Sequence, residues 1–146
     1  MFKRLINTKD DYAALALRLM LGIVFFAHGS QKVLGWFGGY GFVNTMNAFT
    51  QKMHIPFIFA LLAIAAEFLG SIALLAGFFT RIAAFSIATV MVVAVWMAHW
   101  QNGFFMNWSG AQKGEGFEYH LLVIAIAAAL MIKGGGSFSI DKKISK

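Results

Sequence analysis

The sequence predicts an all-α membrane protein whose four transmembrane helices form an antiparallel bundle. Three observations lead to this class: 60% of the residues are hydrophobic, only 12% are charged, and the apolar residues fall into four long stretches. This composition is far too apolar for an ordinary soluble domain. The 146 residues leave room for about four spans, so we predict one transmembrane domain over residues 1–146.

The predicted spans lie at about residues 12–34, 56–79, 82–100 and 117–133. Glycines at 35–41 interrupt the first helix, because glycine is costly within a helix and natural in a turn. A helical period then returns over residues 42–53, with Phe42, Met46, Phe49 and Met53 on one side. This pattern predicts a short amphipathic helix in the membrane interface, between the first and second spans.

Proline and glycine mark the limits of the later spans. Pro56, the only proline, suits the first turn of the second span. A tight turn near Arg81 joins the second span to the third, and the glycines at 134–136 end the fourth helix. The polar and basic tail from Ser137 is expected to lie against the membrane surface.

Lysine and arginine are shared unequally between the two sides of this topology. The side that holds the termini carries Lys3, Arg4, Lys9, Arg81, Lys133, Lys142, Lys143 and Lys146. The other side carries Lys32, Lys52 and Lys113. Cytoplasmic loops hold the basic excess in membrane proteins, so both termini are predicted to be cytoplasmic. The positive charges form no basic face, and we expect them to meet the lipid bilayer rather than nucleic acid.

The chain contains no cysteine. Disulfide exchange, thiol nucleophiles, iron–sulfur ligation and cysteine-based zinc sites are therefore excluded as native chemistry. Any redox role must use a bound organic cofactor, a metal held by histidine and carboxylate groups, or a partner protein.

Ionisable residues inside the apolar stretches are the main functional signal. A charge at a helix centre costs about 2.5–3.5 kcal/mol on insertion scales, so it persists only with a partner, a cavity or a task. Arg18 and Glu67 each share a helix face with small residues, which pack against other helices. We expect the two to pair inside the bundle, directly or through water. A purely structural ion pair is the alternative.

Further polar residues map to one depth on three helices, near the outer leaflet. Together with Arg18 and Glu67, the candidate pocket residues are His28, Lys32, His99 and Glu118. His99 and Glu118 should approach each other, because the third helix ends where the fourth begins. His120 points away from Glu118, and we expect Glu118 to be the inward residue. The alternative is that these groups only snorkel to the lipid headgroups.

Aromatic residues concentrate at the same end of the bundle. The candidates for a lid over the pocket are Trp36, Trp100, Phe104, Phe105 and Trp108. An interfacial aromatic belt is the ordinary explanation for tryptophan and tyrosine at this depth.

Several short motifs occur in a distinctive order along the chain. They are Arg18 with Gly22, His-Gly-Ser-Gln-Lys at 28–32, Gly-Trp-Phe-Gly-Gly at 35–39, Glu67 with Gly70 and Gly77, Thr-Arg at 80–81, His-Trp-Gln-Asn-Gly-Phe-Phe at 99–105 and Gly-Phe-Glu-Tyr at 116–119. In order and spacing this pattern resembles the DoxX family of small bacterial membrane proteins, over nearly the whole chain.

The resemblance implies a four-helix protein of the bacterial inner membrane, in a quinone-linked or oxidative-stress redox process. Quinone is then the possible cofactor, and a pocket opening to the outer leaflet would hold its headgroup. Two alternatives stay open: a non-catalytic anchor or assembly subunit of a partner oxidoreductase, and conduction of protons or small molecules. Fold resemblance alone supplies no reaction, and neither an enzymatic activity nor an oligomeric state follows from it.

Overall fold

The computed structural model describes residues 2–145, except for the side chains of residues 2 and 4. Within these residues every regular element is helical, which confirms the all-α class. The α-helices are α1 (Phe2–Ile6), α2 (Tyr12–Val33), α3 (Gly41–Asn47), α4 (Phe57–Ala76), α5 (Thr80–Ala94), α6 (Glu118–Lys133) and α7 (Ile140–Ile144). Wider π-helical turns extend α3 over Ala48–Lys52 and α5 over Val95–His99.

The long helices α2, α4, α5 and α6 pack around one core in an up-down-up-down order. Each contacts the next along the chain, and α6 closes the bundle against α2. The buried core consists of Ala14, Leu21, Phe25, Leu74, Ala83, Ala84, Ile87, Ala88, Met91, Val123, Ala127 and Leu130. Its alanines let neighbouring backbones approach closely. We name the two ends of the bundle by their residues: the tail end carries Asp11, Thr80 and Lys133, and the loop end carries Lys32 and His99.

Within residues 2–145, three helical segments are long and apolar enough to cross a membrane. They are Tyr12–Val33, Phe57–Ala76 and Thr80–Asn102, the last including the turns after α5. Helix α6 has 16 residues and is therefore about 24 Å long, shorter than a hydrocarbon core of about 30 Å. Its crossing of the membrane stays a prediction.

The predicted amphipathic helix is present as α3 and its π-helical extension. Met46 is buried against Ala60 and Ile64 of α4, in a small core separate from the main one. Phe42 and Met53, placed on the same side by the helical period, remain more than one-third exposed. The π turn explains part of the difference, because an extra residue shifts the helical phase before Met53.

Arg18 lies fully buried at the tail end and does not form the expected pair with Glu67. Its Nη1 donates to the carbonyls of Leu74 and Leu75 at 2.8 and 2.7 Å, where α4 ends. Its Nε donates to the Gly135 carbonyl at 2.9 Å, and Nη2 lies 3.3 Å from two further carbonyls of the same segment. The packing of α2 on α4 places Arg18 about 10 Å along the helix from Glu67, so it caps the carbonyl end of α4 instead.

The segment after α6 folds back into the tail end of the bundle, a contact that the sequence did not predict. Ser137, Ser139 and Asp141 are at most 2% exposed. The Asp141 carboxylate accepts hydrogen bonds from the N–H groups of Phe79 and Thr80, at 2.7 and 2.9 Å. These two N–H groups lie at the start of α5, and a carboxylate is stable at the N-terminus of a helix because the helix dipole favours negative charge there.

Candidate functional site

A cavity of about 460 Å³ lies at the loop end of the bundle. All four long helices contribute to its wall, together with the segment that follows α3 and the loop before α6. The wall is mainly apolar and contains four methionines, Met53, Met91, Met97 and Met106. A largely apolar cavity of this volume with a few convergent polar groups is typical of a small-molecule site.

An ion pair between Lys32 and Glu67 forms one side of the cavity. The Lys32 Nζ lies 2.6 Å from Glu67 Oε2, and Glu67 is buried. Gly29 makes this contact possible, because a Cβ at that position would lie 2.6 Å from the Phe68 Cα. The close approach of α2 to α4 at Gly29 brings Lys32, almost one turn further on, within reach of the carboxylate. The buried charge of Glu67 is therefore neutralised across two helices.

His28 lies one turn before Lys32 and lines the same cavity. Its ring packs against Phe25, with centroids 6.1 Å apart. Lys32, Glu67 and His28 thus give the cavity a cationic group, an anionic group and an imidazole on adjacent helices. Such a set can donate a hydrogen bond to a ligand carbonyl and exchange a proton with it.

His99 and His120 face each other on the opposite side of the cavity. Their ring centroids are 4.1 Å apart. His99 Nδ1 lies 2.8 Å from the Glu115 carbonyl oxygen. A carbonyl only accepts, so Nδ1 carries the proton, and Nε2 of the neutral ring remains an acceptor.

The π turn at Val95–His99 orients His99 toward the cavity. In an uninterrupted α-helix His99 would lie about 80° around the axis from Met91, but one extra residue turns it back by about 100°. It then lies almost in line with Met91, which is buried in the cavity wall. The sequence period alone does not reveal this rotation.

Two polar atoms near this histidine pair lack hydrogen-bond partners among the described residues. They are Tyr119 Oη and His120 Nδ1, both buried, and both residues line the cavity. A buried polar group without a partner is costly, so such atoms commonly meet a water molecule or a ligand. Their position indicates where the polar part of a ligand would lie.

Glu118 does not line the cavity and does not contact His99. Its Oε1 accepts a hydrogen bond from the Met106 N–H at 2.8 Å, which fastens the loop before α6. Since α6 begins at Glu118, the carboxylate turns back to the loop instead of into the bundle. The inward face of α6 starts with His120 and continues through Val123 and Ala127.

The predicted lid residues also lie outside the cavity wall. Trp36, Trp100, Phe104, Phe105 and Trp108 are between 47% and 88% exposed. Trp100 stacks on Phe117 with centroids 5.4 Å apart, so part of this group packs on itself. The loop residues that reach the cavity are Met106 and Glu115.

The structure thus brings together four of the six predicted pocket residues: His28, Lys32, Glu67 and His99. Sequence reasoning missed Tyr119, and it expected Glu118 rather than His120 to face inward. The apolar face of α6, at spacings of three and four residues from His120, was the signal that could have found it. Among the described residues no three histidine, aspartate or glutamate side chains form a cluster suited to a metal ion.

A bundle of long apolar helices, with a cavity at one end that carries a few polar groups, defines a multi-pass membrane protein. The DoxX family model matches residues 13–100, and the chain belongs to this family. It is also similar to the inner membrane protein YqjF of Escherichia coli (strain K12), with 26% identity over 137 residues, 94% of this chain and 95% of that protein. No solved structure matches it significantly.

Proposed function

We propose that this protein spans the bacterial inner membrane four times, with the tail end in the cytoplasm. The similar Escherichia coli protein is an inner membrane protein, and the tail end holds most of the basic residues. Lys3, Lys9 and Lys143 are exposed there, where they can meet anionic lipid. The packing of α6 on α5 and α2 supports its role as the fourth span, since a short helix can cross where the bilayer thins around it.

We further propose that the cavity binds a quinone headgroup in a quinone-linked or oxidative-stress redox process. The supporting observation is the cavity itself, with Lys32, Glu67 and His28 on one side and His99 and His120 on the other. Lysine or histidine would donate hydrogen bonds to the quinone oxygens. The apolar wall, rich in methionine, would surround the ring and the start of its tail.

Reduction of a quinone to a quinol consumes two electrons and two protons. His28 and His99 can each hold or release a proton in contact with the cavity. The chain has no cysteine for thiol chemistry, so the electrons would come from a bound organic cofactor, a metal site or a partner protein. Of these sources, this proposal takes a partner oxidoreductase, soluble or membrane-bound.

Native mass spectrometry after gentle lipid extraction tests the quinone proposal. We expect a quinone to co-purify with the wild type, and its occupancy to fall in His99→Asn. His54→Asn is the matched control, because His54 is exposed and lies outside the cavity. Equal quinone content in both variants, or none in the wild type after quinone addition, would contradict the proposal.

A non-catalytic anchor or assembly subunit is the second candidate. Exposed aromatic residues of the loop before α6 favour it, above all Phe105 and Trp108. Such side chains are frequent at protein interfaces and at membrane surfaces. A protein subunit that co-purifies without quinone in the same experiment would support this candidate.

Conduction is less well supported, because the cavity is separated from the tail end. Leu21, Phe25 and Leu74 are buried between them, and Arg18 with the segment around Gly135 fills the far end. A proton path from the cavity would have to cross this apolar core.

A further inference from the structure

We propose that the cavity is loaded from the lipid bilayer, through a lateral portal between Met53 and the outer half of α5. The ligand would then be a membrane-dissolved amphiphile, with its polar head inside the cavity and its apolar chain in the portal. This ligand class rests on the proposed quinone function. The portal itself rests on the positions of the lining residues.

The first argument is the exposure of apolar lining residues. Met53, Val93 and Met97 all line the cavity, yet each is between 37% and 42% exposed. Val93 lies six residues before His99 within the apolar segment Thr80–Asn102, and therefore about 9 Å deeper along the helix. Exposed side chains at this depth face hydrocarbon, so a cavity that includes them in its wall reaches the lipid.

The second argument is the cover on the opposite, water-facing side. The loop before α6 places Met106 and Glu115 in the cavity wall. Two carboxylates hold its backbone: Glu118 accepts from the Met106 N–H, and Glu115 accepts from the Asn107 N–H at 2.7 Å. A loop fixed in this way restricts access from water without closing the side toward lipid.

The third argument is the polarity gradient between portal and interior. The portal residues are methionine and valine, while the partnerless atoms Tyr119 Oη and His120 Nδ1 lie buried among the inner polar groups. A ligand complementary to this gradient has a hydrogen-bonding head and an apolar chain. A freely water-soluble substrate has no apolar chain to pack against the methionine and valine side chains of the portal.

Thiol labelling tests the portal without any ligand, since the chain has no cysteine of its own. Met91→Cys places a thiol in the buried part of the cavity wall, and Ala88→Cys places one on the same helix in the core but outside the cavity. In lipid nanodiscs we expect N-ethylmaleimide, which dissolves in lipid, to label Met91→Cys and not Ala88→Cys. A sulfonated maleimide should label neither, although it should label Ser109→Cys, which is exposed on the loop before α6 and does not line the cavity.

A second substitution then narrows the portal. Adding Val93→Phe to Met91→Cys should slow labelling by N-ethylmaleimide about tenfold, because the reagent must wait for a local opening of the bundle. Val92→Phe is the matched control, since Val92 is 55% exposed on the same helix and does not line the cavity. Equal slowing by both substitutions, or no slowing by either, would overturn the portal.

Other outcomes separate the portal from the quinone proposal. Labelling of Met91→Cys by the sulfonated reagent at the rate of N-ethylmaleimide would show access from water and overturn the portal. If Met91→Cys fails to fold, Ala94→Cys, which also lines the cavity, replaces it. Protection of the thiol by decylubiquinone would support both proposals. Labelling through the portal without such protection would support the portal and contradict the quinone ligand.

Discussion

Replacement of Arg18 should destabilise the bundle more than any change at its surface. The guanidinium makes three short hydrogen bonds, to the carbonyls of Leu74, Leu75 and Gly135. The Leu74 carbonyl also accepts from the Gly77 N–H and keeps that partner. The partly buried Leu75 carbonyl and the buried Gly135 carbonyl would each lose a charged donor, at about 1–3 kcal/mol each. We therefore expect Arg18→Met to lower the free energy of unfolding by about 2–6 kcal/mol.

Reversible unfolding in mixed micelles measures this change. Arg18→Lys should recover only a minor part of the loss, because a single ammonium cannot reach both the end of α4 and the Gly135 segment. Lys9→Met is the control: Lys9 is exposed, so its removal should change the free energy by no more than about 0.5 kcal/mol. If Arg18→Met and Lys9→Met have the same free energy of unfolding, the capping role of the guanidinium is refuted.

Three further predictions use the same unfolding assay. Glu67→Leu should destabilise the bundle more than Glu67→Gln, because leucine leaves the Lys32 ammonium without an acceptor. Adding Lys32→Met to Glu67→Leu should restore part of the lost stability, and no restoration would argue against the ion pair. Gly29→Ala should force α2 away from α4, because the new Cβ would lie 2.6 Å from the Phe68 Cα. Gly70→Ala should be tolerated, because its Cβ would meet its nearest atoms at 3.8 Å. Similar losses of stability in the two variants would contradict the close approach of α2 to α4 at Gly29. The pKa of the Asp11 carboxyl is lowered below its usual 3.8, chiefly by the hydrogen bond from Lys133 and next by the hydrogen bond from the Ala14 N–H. Its stabilising contribution is therefore present above that value and lost as the pH falls through the lowered pKa, so Asp11→Asn should lose less stability on acidification than the wild type.

The helices were largely predictable because their signals are local. A long apolar run specifies a helix in lipid, where each backbone polar group must be satisfied within its own segment. Glycine at 35 and at 134 adopts positive φ where α2 and α6 have ended, and the sequence placed both helix ends there. The depth of the polar residues was predictable for the same reason: position along a helix fixes depth, whatever the helix packs against.

The choice of partners was not predictable. Glu67 pairs with Lys32 rather than Arg18, and that choice depends on how α2 and α4 are aligned at Gly29. The capping of α4 by Arg18 needs the segment around Gly135, which lies more than 100 residues away in the chain. Contacts of this range leave no periodic signal in the sequence.

The amino-acid sequence by itself determined that this is a helical membrane protein with polar groups gathered at one depth. The tertiary structure decided which of those groups share a cavity. His120 is turned inward by the packing of α6, and His99 by one extra residue in a π turn. A helix can form in any rotation about its axis, and only contacts with its neighbours select one rotation. Those contacts, more than composition or spacing, define the cavity of this protein.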